Sequence, residues 1–401
     1  MQVAVVTAVY PPKIGGAGAV LYNLAACAPD QIAIVTCAFD GEGRPTGCGP
    51  SSSSARERVV AIPWFSRRLK SIPPGKLRAL CQFFYDRFYV HRQAARWLLE
   101  ALERLQPDVV CVNTFASCFW VLPAVQRWRP TMKVVVYLHG EEIPWPGTGF
   151  FDARRLRILR RASALIAVSH FTKNRLIESG IDPERITVIT NGVDLSRFQP
   201  REKSARILER HALGQRRVLL TLARLDKRKG QDRMIQALPM ILEKIPDAVY
   251  LLVGEGDYAP HLRRLAAEYH VEDAVIFAGP VAENEVAEYH SVCDLFVMPN
   301  RETEDGDTEG FGLVFLEAGA CGKAVLGGKA GGVPDAIVDG KTGLLVDGAS
   351  VRAIADECLL LLEDTGLRAE YGQNGLAHAR RHPWRDRAEE FLALCERLAC
   401  E

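Results

Sequence analysis

Short apolar runs rich in valine, isoleucine and leucine recur along the chain and alternate with helical patterns. In the first half they fall at Val3–Val6, Ile32–Cys37, Val109–Val112, Val134–Leu138, Leu165–Val168 and Thr187–Ile189. In the second half they fall at Val218–Ala223, Val249–Gly254, Val275–Ala278, Leu295–Met298 and Ala324–Leu326. Runs this short and apolar are typical of parallel strands covered on both faces. The alternation with helices predicts a doubly wound α/β fold.

The break between the two sets of strands predicts two domains. A chain of 401 residues is too long for one ordinary core. A charged helical stretch near 199–217 separates the sets, so we expect one domain at 1–198, a second at 199–380 and a C-terminal helix at 381–401. No long linker joins the halves, and ligands bind beyond the carboxyl ends of strands in such sheets. The two sheet edges are therefore expected to face each other across a cleft.

Composition and charge narrow the class of protein. Apolar residues make up 48% and charged residues 25% of the chain, and the net charge of +1 gives no support for nucleic-acid binding. The N-terminal apolar run ends at Pro11 and has no basic segment before it, which favours a strand over a signal peptide. No apolar run reaches the roughly 20 residues of a membrane span. The 11 cysteines contain no CxxC pair, so we expect a cytoplasmic protein.

Two candidate ligand-binding segments follow predicted strands in the first half. In YPPKIGGAGAVLYNLA, Gly15 and Gly16 precede a helix whose free amides could attract an anion, although an ordinary strand-to-helix turn has the same pattern. Leu21 fills the third glycine position of GxGxxG, which argues against a simple dinucleotide fold. His139 follows the strand in VVVYLHGEE and is either a ligand contact or a satisfied structural histidine.

Cations follow the first strand of the second half. The segment TLARLDKRKG places Arg224 and Lys229 at the end of that strand, where flexible cationic side chains suit a diphosphate. The alternative is a solvated charge cluster, because Lys227 and Arg228 lie beside them. Further on, Gly254–Ala259 fits GxGxxA, but a single match of this kind is weak evidence for a dinucleotide site.

The segment TEGFGLVFLEAGACGKAV is the most informative. Its glycines predict a tight turn, and a helix is expected from about Leu313 onward that carries Glu317. If the interval from Glu309 to Glu317 were helical, the carboxylates would lie roughly 12 Å apart, too far for a glycosidase-type acid–base pair. They suit two ends of one long ligand, with free amides at Phe311–Val314 for a diphosphate between them. Either residue alone could instead be a helix-terminal or surface carboxylate.

Together these motifs resemble the family 4 glycosyltransferases of the GT-B fold. The matching segments run in family order over nearly the whole chain: the Gly15–Gly16 loop, HGEE at 139–142, VSHFTK at 168–173, NGVD at 191–194, RLDKRKG at 224–230, VGEGD at 253–257, EGFGLVFLEA at 309–318, GGVPDAI at 331–337 and TGLLV at 342–346. The MPNR…EGFGLVFLEA arrangement is similar to that of bacterial GDP-mannose-dependent phosphatidylinositol mannosyltransferases. The resemblance implies two Rossmann-like domains, an N-terminal one for the acceptor and a C-terminal one for the nucleotide sugar, with the last helix packed on the first.

The resemblance also implies catalytic roles for individual residues. The backbone of Gly16 would contact the donor phosphate, and His139 would lie beside the transferred sugar and orient it. Arg224 and Lys229 would neutralise the leaving diphosphate. Glu309 would bind hydroxyls of the sugar.

The remaining implied donor contacts lie further along the second half. Glu317 would hold the ribose diol, the backbone near Val281 would meet the base, and Phe311, Gly312 and Leu313 would line the donor site. A hexose would be transferred with retention from GDP-mannose or a UDP-sugar, by front-face departure and attack with the diphosphate assisting as base. We expect no cofactor besides this co-substrate and no metal, and interpret the DxD triplet at 305–307 as a loop because it follows a polar stretch.

Basic and aromatic residues between Trp64 and Trp97 bear on the acceptor. That stretch contains a single acid, Asp86, and a second basic cluster falls at Arg154–Arg161. Such mixtures can dock at an anionic membrane. They would place the enzyme at the inner face of the cell membrane, with a lipid-linked or phosphorylated acceptor. The alternatives are a helix with a solvated basic face and an acidic soluble acceptor.

Three other functions share part of the pattern. A nucleotide-sugar epimerase or hydrolase would use the same diphosphate site without an acceptor. A dinucleotide-dependent oxidoreductase fits the fold but not the glycine spacing at 15–21. A non-catalytic sugar-binding protein fits the fold but does not need the charged and glycine positions. The sequence therefore favours a metal-independent retaining hexosyltransferase.

Overall fold

A computed structural model of the chain describes residues 1–9, 16–37, 58–62, 90–140 and 150–401, the side chains of 150–152 excepted. The chain divides into two compact units: the first comprises 1–168, 173–189 and 384–401, and the second 169–172 and 190–383. The sequence predicts the boundary between the domains after residue 198, whereas the main segment of the second unit already begins at residue 190. Residues 190–198 belong to the second unit because the Val193 N–H donates to the His382 carbonyl and Phe198 packs edge-on against His290.

The first unit is built on a parallel sheet. Its described strands are β1 (Val3–Thr7), β2 (Ile32–Cys37), β3 (Arg58–Ile62), β4 (Val109–Val112), β5 (Lys133–Leu138), β6 (Ala164–Ala167) and β7 (Ile186–Val188). They lie in the order β3-β2-β1-β4-β5-β6-β7. All residues of β1, β2 and β4 are buried, as expected for central strands covered on both faces. The helices alternating with these strands are α1 (Gly16–Cys27), α2 (His91–Leu105), α3 (Phe115–Cys118), α4 (Val121–Trp128), α5 (Phe150–Leu159) and α6 (His170–Glu178).

The second unit repeats this plan. Its strands are β8 (Arg217–Leu222), β9 (Ala248–Val253), β10 (Val275–Gly279), β11 (Leu295–Met298), β12 (Val325–Gly328) and β13 (Gly343–Val346), and they lie in the order β10-β9-β8-β11-β12-β13. Its helices are α7 (Ala205–Arg210), α8 (Gln231–Lys244), α9 (Ala259–Glu268), α10 (Val286–Val292), α11 (Leu313–Ala320), α12 (Val333–Ala336), α13 (Val351–Glu363) and α14 (Thr365–Ala379). All strand pairs described in this sheet are parallel, so the loops after their carboxyl ends meet at one edge.

The apolar runs identified in the sequence all form strands. The pattern misses two strands, β3 and β13. Both lie at the edge of their sheet, but so do β7 and β10, which the pattern predicts. Edge strands are covered less completely, and most residues of β3 are only partly buried.

The final helix, α15 (Trp384–Cys400), belongs to the first unit. It packs against α1, β4 and β5, and the fully buried Phe391 ring lies 6.3 Å from the Tyr137 ring. Leu394 and Leu398 are buried on the same face, in agreement with the apolar spacing of the sequence. Among the described residues, no helix has the length and apolar character needed to cross a membrane.

Candidate active site

A short turn after β8 carries the predicted cations of the second unit. Lys227–Lys229 form a 3-10 turn, and the Asp226 carboxylate accepts the Arg228 backbone N–H at its start. Gly230 ends the turn with a φ of +77°, and a Cβ there would lie 2.0 Å from the Pro299 carbonyl oxygen. Only glycine avoids both the left-handed strain and this contact. The glycine therefore holds the cationic turn against the end of β11.

Glu309 is a carboxylate that is only 12% exposed and is surrounded by hydrogen-bond donors. Its Oε2 accepts hydrogen bonds from Arg228 Nη1 at 2.9 Å, from Asn300 Nδ2 at 3.2 Å and from Lys229 Nζ. Burial opposes ionisation of Glu309, but the charges of Lys229 and Arg228 outweigh it and hold the pKa of that carboxyl below its usual value. Burial lowers the pKa of the Lys229 amine, and Glu309 opposes that change. Glu309 is therefore an ionised group at neutral pH.

Arg228 is a site residue that sequence reasoning missed. The sequence pattern groups it with Lys227 in a solvated charge cluster, but Arg228 is only 8% exposed, whereas the Lys227 side chain is half exposed. Arg228 Nε lies 3.3 Å from Asp307 Oδ2, so this guanidinium joins Asp307 to Glu309. The signal in the sequence was the pair of acids two residues apart, which a forked guanidinium can join.

The DxD triplet forms a turn, as the sequence interpretation held. The backbone N–H of Thr303 donates to the Asp307 carbonyl at 2.9 Å, and the Gly306 N–H donates back to the Thr303 carbonyl at 2.9 Å. The Thr303 hydroxyl donates to the Asp305 carboxylate at 2.6 Å. Asp305 thus stabilises the turn, and Asp307 binds Arg228.

Arg224 has different surroundings from Lys229. Its side chain is 62% exposed, and its Nε lies 3.6 Å from Asp226 Oδ2. The buried Gln231 fixes the backbone there by donating to the Arg224 carbonyl at 3.0 Å. Arg224 is near enough to contribute to the lowered pKa of Lys229. The structure thus brings Lys229 to Glu309 and leaves the Arg224 guanidinium beside Asp226.

Helix α11 begins at Leu313, as predicted, directly after a loop that ends at Gly312. Gly312 has a φ of +92°, and a Cβ there would lie 2.7 Å from the Phe315 ring. As the N-cap, Gly312 offers no side chain to the first amides of the helix. The Phe315 N–H donates to the Gly312 carbonyl at 3.0 Å, so it is the amides of Leu313 and Val314 that can bind an anion. Phe311, which is 2% exposed, anchors the loop in the core.

Two glycines after β12 hold this loop from the other side. A Cβ on Gly331 would lie 2.1 Å from the Glu309 carbonyl oxygen, and one on Gly332 would lie 2.0 Å from the Gly310 carbonyl oxygen. The Gly332 N–H donates to the Glu309 carbonyl at 2.8 Å. The backbones approach at a distance that any side chain would prevent, so GGVPD positions Glu309.

The glycines of GEGDYA have a similar packing role. A Cβ on Gly254 would lie 2.1 Å from the Ala223 carbonyl oxygen, and one on Gly256 would lie 2.1 Å from that of Leu225. They let the loop after β9 contact the loop after β8. This close approach accounts for the glycines without a dinucleotide.

Glu317 lies on the second turn of α11 with a side chain that is 21% exposed. Burial raises its pKa to about 7, with Arg197 opposing and Glu283 reinforcing the change. One carboxylate oxygen lies 4.0 Å from Nε2 of the buried His290. Val281, the predicted neighbour of the base, is partly exposed on the loop between β10 and α10.

In the first unit, His139 follows β5 and contacts Asn113, the residue after β4. The Asn113 amide donates to Thr7 Oγ1 at 3.2 Å and to the Ala17 carbonyl at 3.5 Å, so its Oδ1 faces the histidine as an acceptor. His139 therefore carries its proton on Nε2. Burial lowers its pKa to about 3, so the ring is neutral at physiological pH.

The same asparagine connects this histidine to the glycine segment. Ala17 lies in the first turn of α1, which begins at Gly16. Among the described residues, none comes within 4 Å of a Cβ placed on Gly16. Gly15 lies outside the described residues.

Most of the basic and aromatic stretch at 64–97 also lies outside the described residues. Three arginines of the second basic cluster, at 154–161, make contacts within the first unit. Arg154 and Arg155 lie over the Phe119 ring, and Arg160 donates to the Ser179 carbonyl at 3.0 Å.

Known proteins with similar sequences bear on this site. Residues 14–197 match the family described as Glycosyltransferase Family 4, and residues 204–378 match Glycosyl transferases group 1. The chain is 36% identical over 277 residues to the GDP-mannose-dependent alpha-(1-6)-phosphatidylinositol monomannoside mannosyltransferase of Mycolicibacterium smegmatis, covering 68% of this chain and 72% of that protein. It is 37% identical over 251 residues to the protein of that name from Mycobacterium tuberculosis, covering 62% of this chain and 65% of that one.

A second kind of relative and a solved structure agree with this assignment. The chain is 33% identical over 301 residues to the D-inositol 3-phosphate glycosyltransferase of Acidothermus cellulolyticus, covering 71% of this chain and 64% of that protein. The crystal structure of Anabaena Alr3699/HepE in complex with UDP and glucose has a TM-score of 0.78 at 22% identity, covering 98% of this chain and 99% of that one, which shows a shared fold. The chain therefore belongs to glycosyltransferase family 4 and has the GT-B fold of two parallel-sheet α/β units.

Proposed function

We propose that this glycosyltransferase moves mannose from GDP-mannose to a hydroxyl of an inositol-containing acceptor, with retention of the anomeric configuration. The names of the relatives that are 36–37% identical support GDP-mannose as the donor, and these names and that of the 33% identical relative support an inositol-containing acceptor. The acceptor is either the lipid-linked form or the free phosphorylated polyol, because both kinds of relative occur at similar identity.

The observation that carries the proposal is the contact of Arg228 and Lys229 with Glu309 beside the open amides of α11. Departure of a glycosyl group builds negative charge on the diphosphate, and prearranged cations and amides stabilise that charge. Lys229 and the exposed Arg224 supply the cations. A bound diphosphate would draw Lys229 from Glu309, whose released oxygen would then accept a sugar hydroxyl.

The hydrogen bonds of Glu309 also bear on the stereochemistry. A double displacement needs a carboxylate free to attack the anomeric carbon. With Lys229 drawn away, Glu309 Oε2 would keep its hydrogen bonds from Arg228 and Asn300, which make that oxygen a poor nucleophile. This favours front-face transfer, in which the leaving diphosphate accepts the proton of the incoming hydroxyl. The fixed cations would supply the charge that a metal supplies elsewhere.

A donor panel tests this assignment. Thermal unfolding of the protein is followed with GDP-mannose, UDP-glucose and an ADP-sugar, and we expect GDP-mannose to give the largest increase in Tm. Lys229→Met should abolish the increase, while Lys227→Met, on the exposed side of the same turn, should keep it. No increase with any donor, or equal responses of the two variants, would contradict the proposed donor site.

We also propose a peripheral contact with anionic membranes through the basic segments at 64–97 and 154–161. Flotation with anionic and neutral vesicles at low and high salt measures it. Binding to anionic vesicles that is lost at high salt is expected, and an absence of binding at low salt would exclude the contact.

A further inference from the structure

His290 on α10 is a buried polar side chain that the proposed mechanism leaves unused. It is fully buried, and within the described residues neither ring nitrogen has a hydrogen-bond partner. The Phe296 ring lies 5.5 Å away and the Phe198 ring 6.0 Å away. An imidazole in such surroundings loses its hydrogen bonds to water without replacement. A hydrogen-bond acceptor brought to the ring would remove this cost.

The charge state of His290 follows from its surroundings. Burial, with smaller contributions from Lys323 and Arg197, lowers its pKa to about 3. The ring is therefore neutral and carries one N–H and one lone pair. Lys323 is itself held by the carbonyls of Ser291 and Cys293, each at 2.9 Å, so it directs positive charge toward this helix end.

The Glu317 carboxylate is a hydrogen-bond acceptor close to the His290 ring. Its Oε2 lies 4.0 Å from His290 Nε2, beyond the range of a hydrogen bond but within a small side-chain rotation of one. The charged groups that act on Glu317 are Arg197 and Glu283, which are bonded to each other. Glu317 thus has solvent on one side and an unpartnered buried ring on the other.

We propose that His290 is a positioning residue for the nucleotide ribose. When the donor binds, the Glu317 carboxylate accepts the Nε2–H of His290 and uses its remaining lone pairs for the 2′ and 3′ hydroxyls. A carboxylate has about four acceptor positions, so one bond to the histidine leaves enough for the diol. A bond from a neutral N–H also favours the ionised carboxylate, which is the form that accepts both hydroxyls. The inference rests on the donor site of the proposed function.

The test compares nucleotides with and without the diol. Dissociation constants are measured by calorimetry for GDP, UDP and their 2′,3′-dideoxy analogues, and the ratio within the tighter-binding pair reports the diol. His290→Leu fills the pocket without a donor, His290→Gln places an N–H near Nε2, and His290→Asn places one near Nδ1. We expect His290→Leu and His290→Asn to reduce the ratio about tenfold, with the affinity for the dideoxy analogue unchanged. His290→Gln should preserve it.

The outcomes separate the inference from the proposed function. Glu317→Gln should reduce the ratio at least as far as His290→Leu does. If Glu317→Gln reduces it but His290→Leu and His290→Asn do not, the role of His290 is wrong and the donor site stands. If the wild-type protein binds neither nucleotide, or Glu317→Gln leaves the ratio unchanged, the proposed donor site fails and the inference with it. Should His290→Leu not fold, the contrast between His290→Gln and His290→Asn decides.

Discussion

Arg228→Met tests whether the buried cation is part of the Glu309 site. The substitution removes a 2.9 Å bond to Glu309 and the contact with Asp307 while keeping most of the side-chain volume. A hydrogen bond between charged groups contributes about 1.5–3 kcal/mol, and Glu309 keeps its bonds to Lys229 and Asn300. We therefore expect the free energy of unfolding to fall by about 2 kcal/mol rather than by the larger cost of an isolated buried charge.

The pH dependence of the same variant has a definite sign. The folded-state pKa of Glu309 lies below its usual value of 4.5, so its contribution to stability is present above that value and is lost as the pH falls through the folded pKa. Arg228→Met removes one of the two cations that lower this pKa. The acid-induced loss of stability below pH 4.5 should therefore be smaller in the variant and should be complete at a higher pH.

Urea unfolding between pH 3 and pH 7, together with steady-state transfer, provides the assay. Lys227→Met is the matched control because Lys227 lies on the same turn with a half-exposed side chain. It should change stability by less than about 0.5 kcal/mol. Equal unfolding curves and equal kcat for Arg228→Met and Lys227→Met would refute the assignment of Arg228 to the site.

Three further predictions follow from individual contacts. Gly332→Ala places a Cβ 2.0 Å from a carbonyl oxygen of the facing loop and should abolish donor binding in a thermal-shift assay, whereas Gly366→Ala, with 3.4 Å to its nearest neighbour, should leave it intact. The pKa of Glu317 is about 7 before the donor binds, so GDP affinity measured by calorimetry should increase from pH 6 to pH 8 and then level off. The difference in affinity between the wild-type protein and Glu317→Gln should show the same rise. Equal pH profiles of the two proteins would contradict this prediction. Asn113→Ala removes the acceptor that fixes the His139 tautomer and should lower kcat about tenfold at nearly unchanged KM; a change in KM alone would contradict this role.

The hydrophobic pattern predicted most of the fold because central parallel strands are buried on both faces. The pattern misses β3, which begins with the exposed Arg58, and β13, a four-residue run that begins with Gly343, although it predicts the other two edge strands, β7 and β10. The position of α11 was also predictable, since glycine before an apolar run marks a helix start. Both features depend on residues that are neighbours in the chain, so the sequence alone is enough to predict them.

The missed site residues depend on contacts between distant segments. Arg228 and Lys227 are adjacent and alike in sequence, yet only Arg228 is buried between Asp307 and Glu309. Asn113 acquires its role from pairing with His139 across neighbouring strands. The sequence shows two glycines at 331–332, but it does not show that they pack against the carbonyl groups of Glu309 and Gly310. Tertiary packing decides each of these roles, and residue type alone does not.

The most direct test of the account is product analysis with defined substrates. The protein is incubated with GDP-mannose and either phosphatidylinositol monomannoside or inositol 3-phosphate, the acceptors in the relatives' names. Products are identified by mass spectrometry and their anomeric configuration by NMR. The account predicts acceptor-dependent release of GDP and an α-mannoside from the α-linked donor, both lost in Lys229→Met. Free mannose or an epimerised donor formed equally without an acceptor, or a β-mannoside, would contradict it.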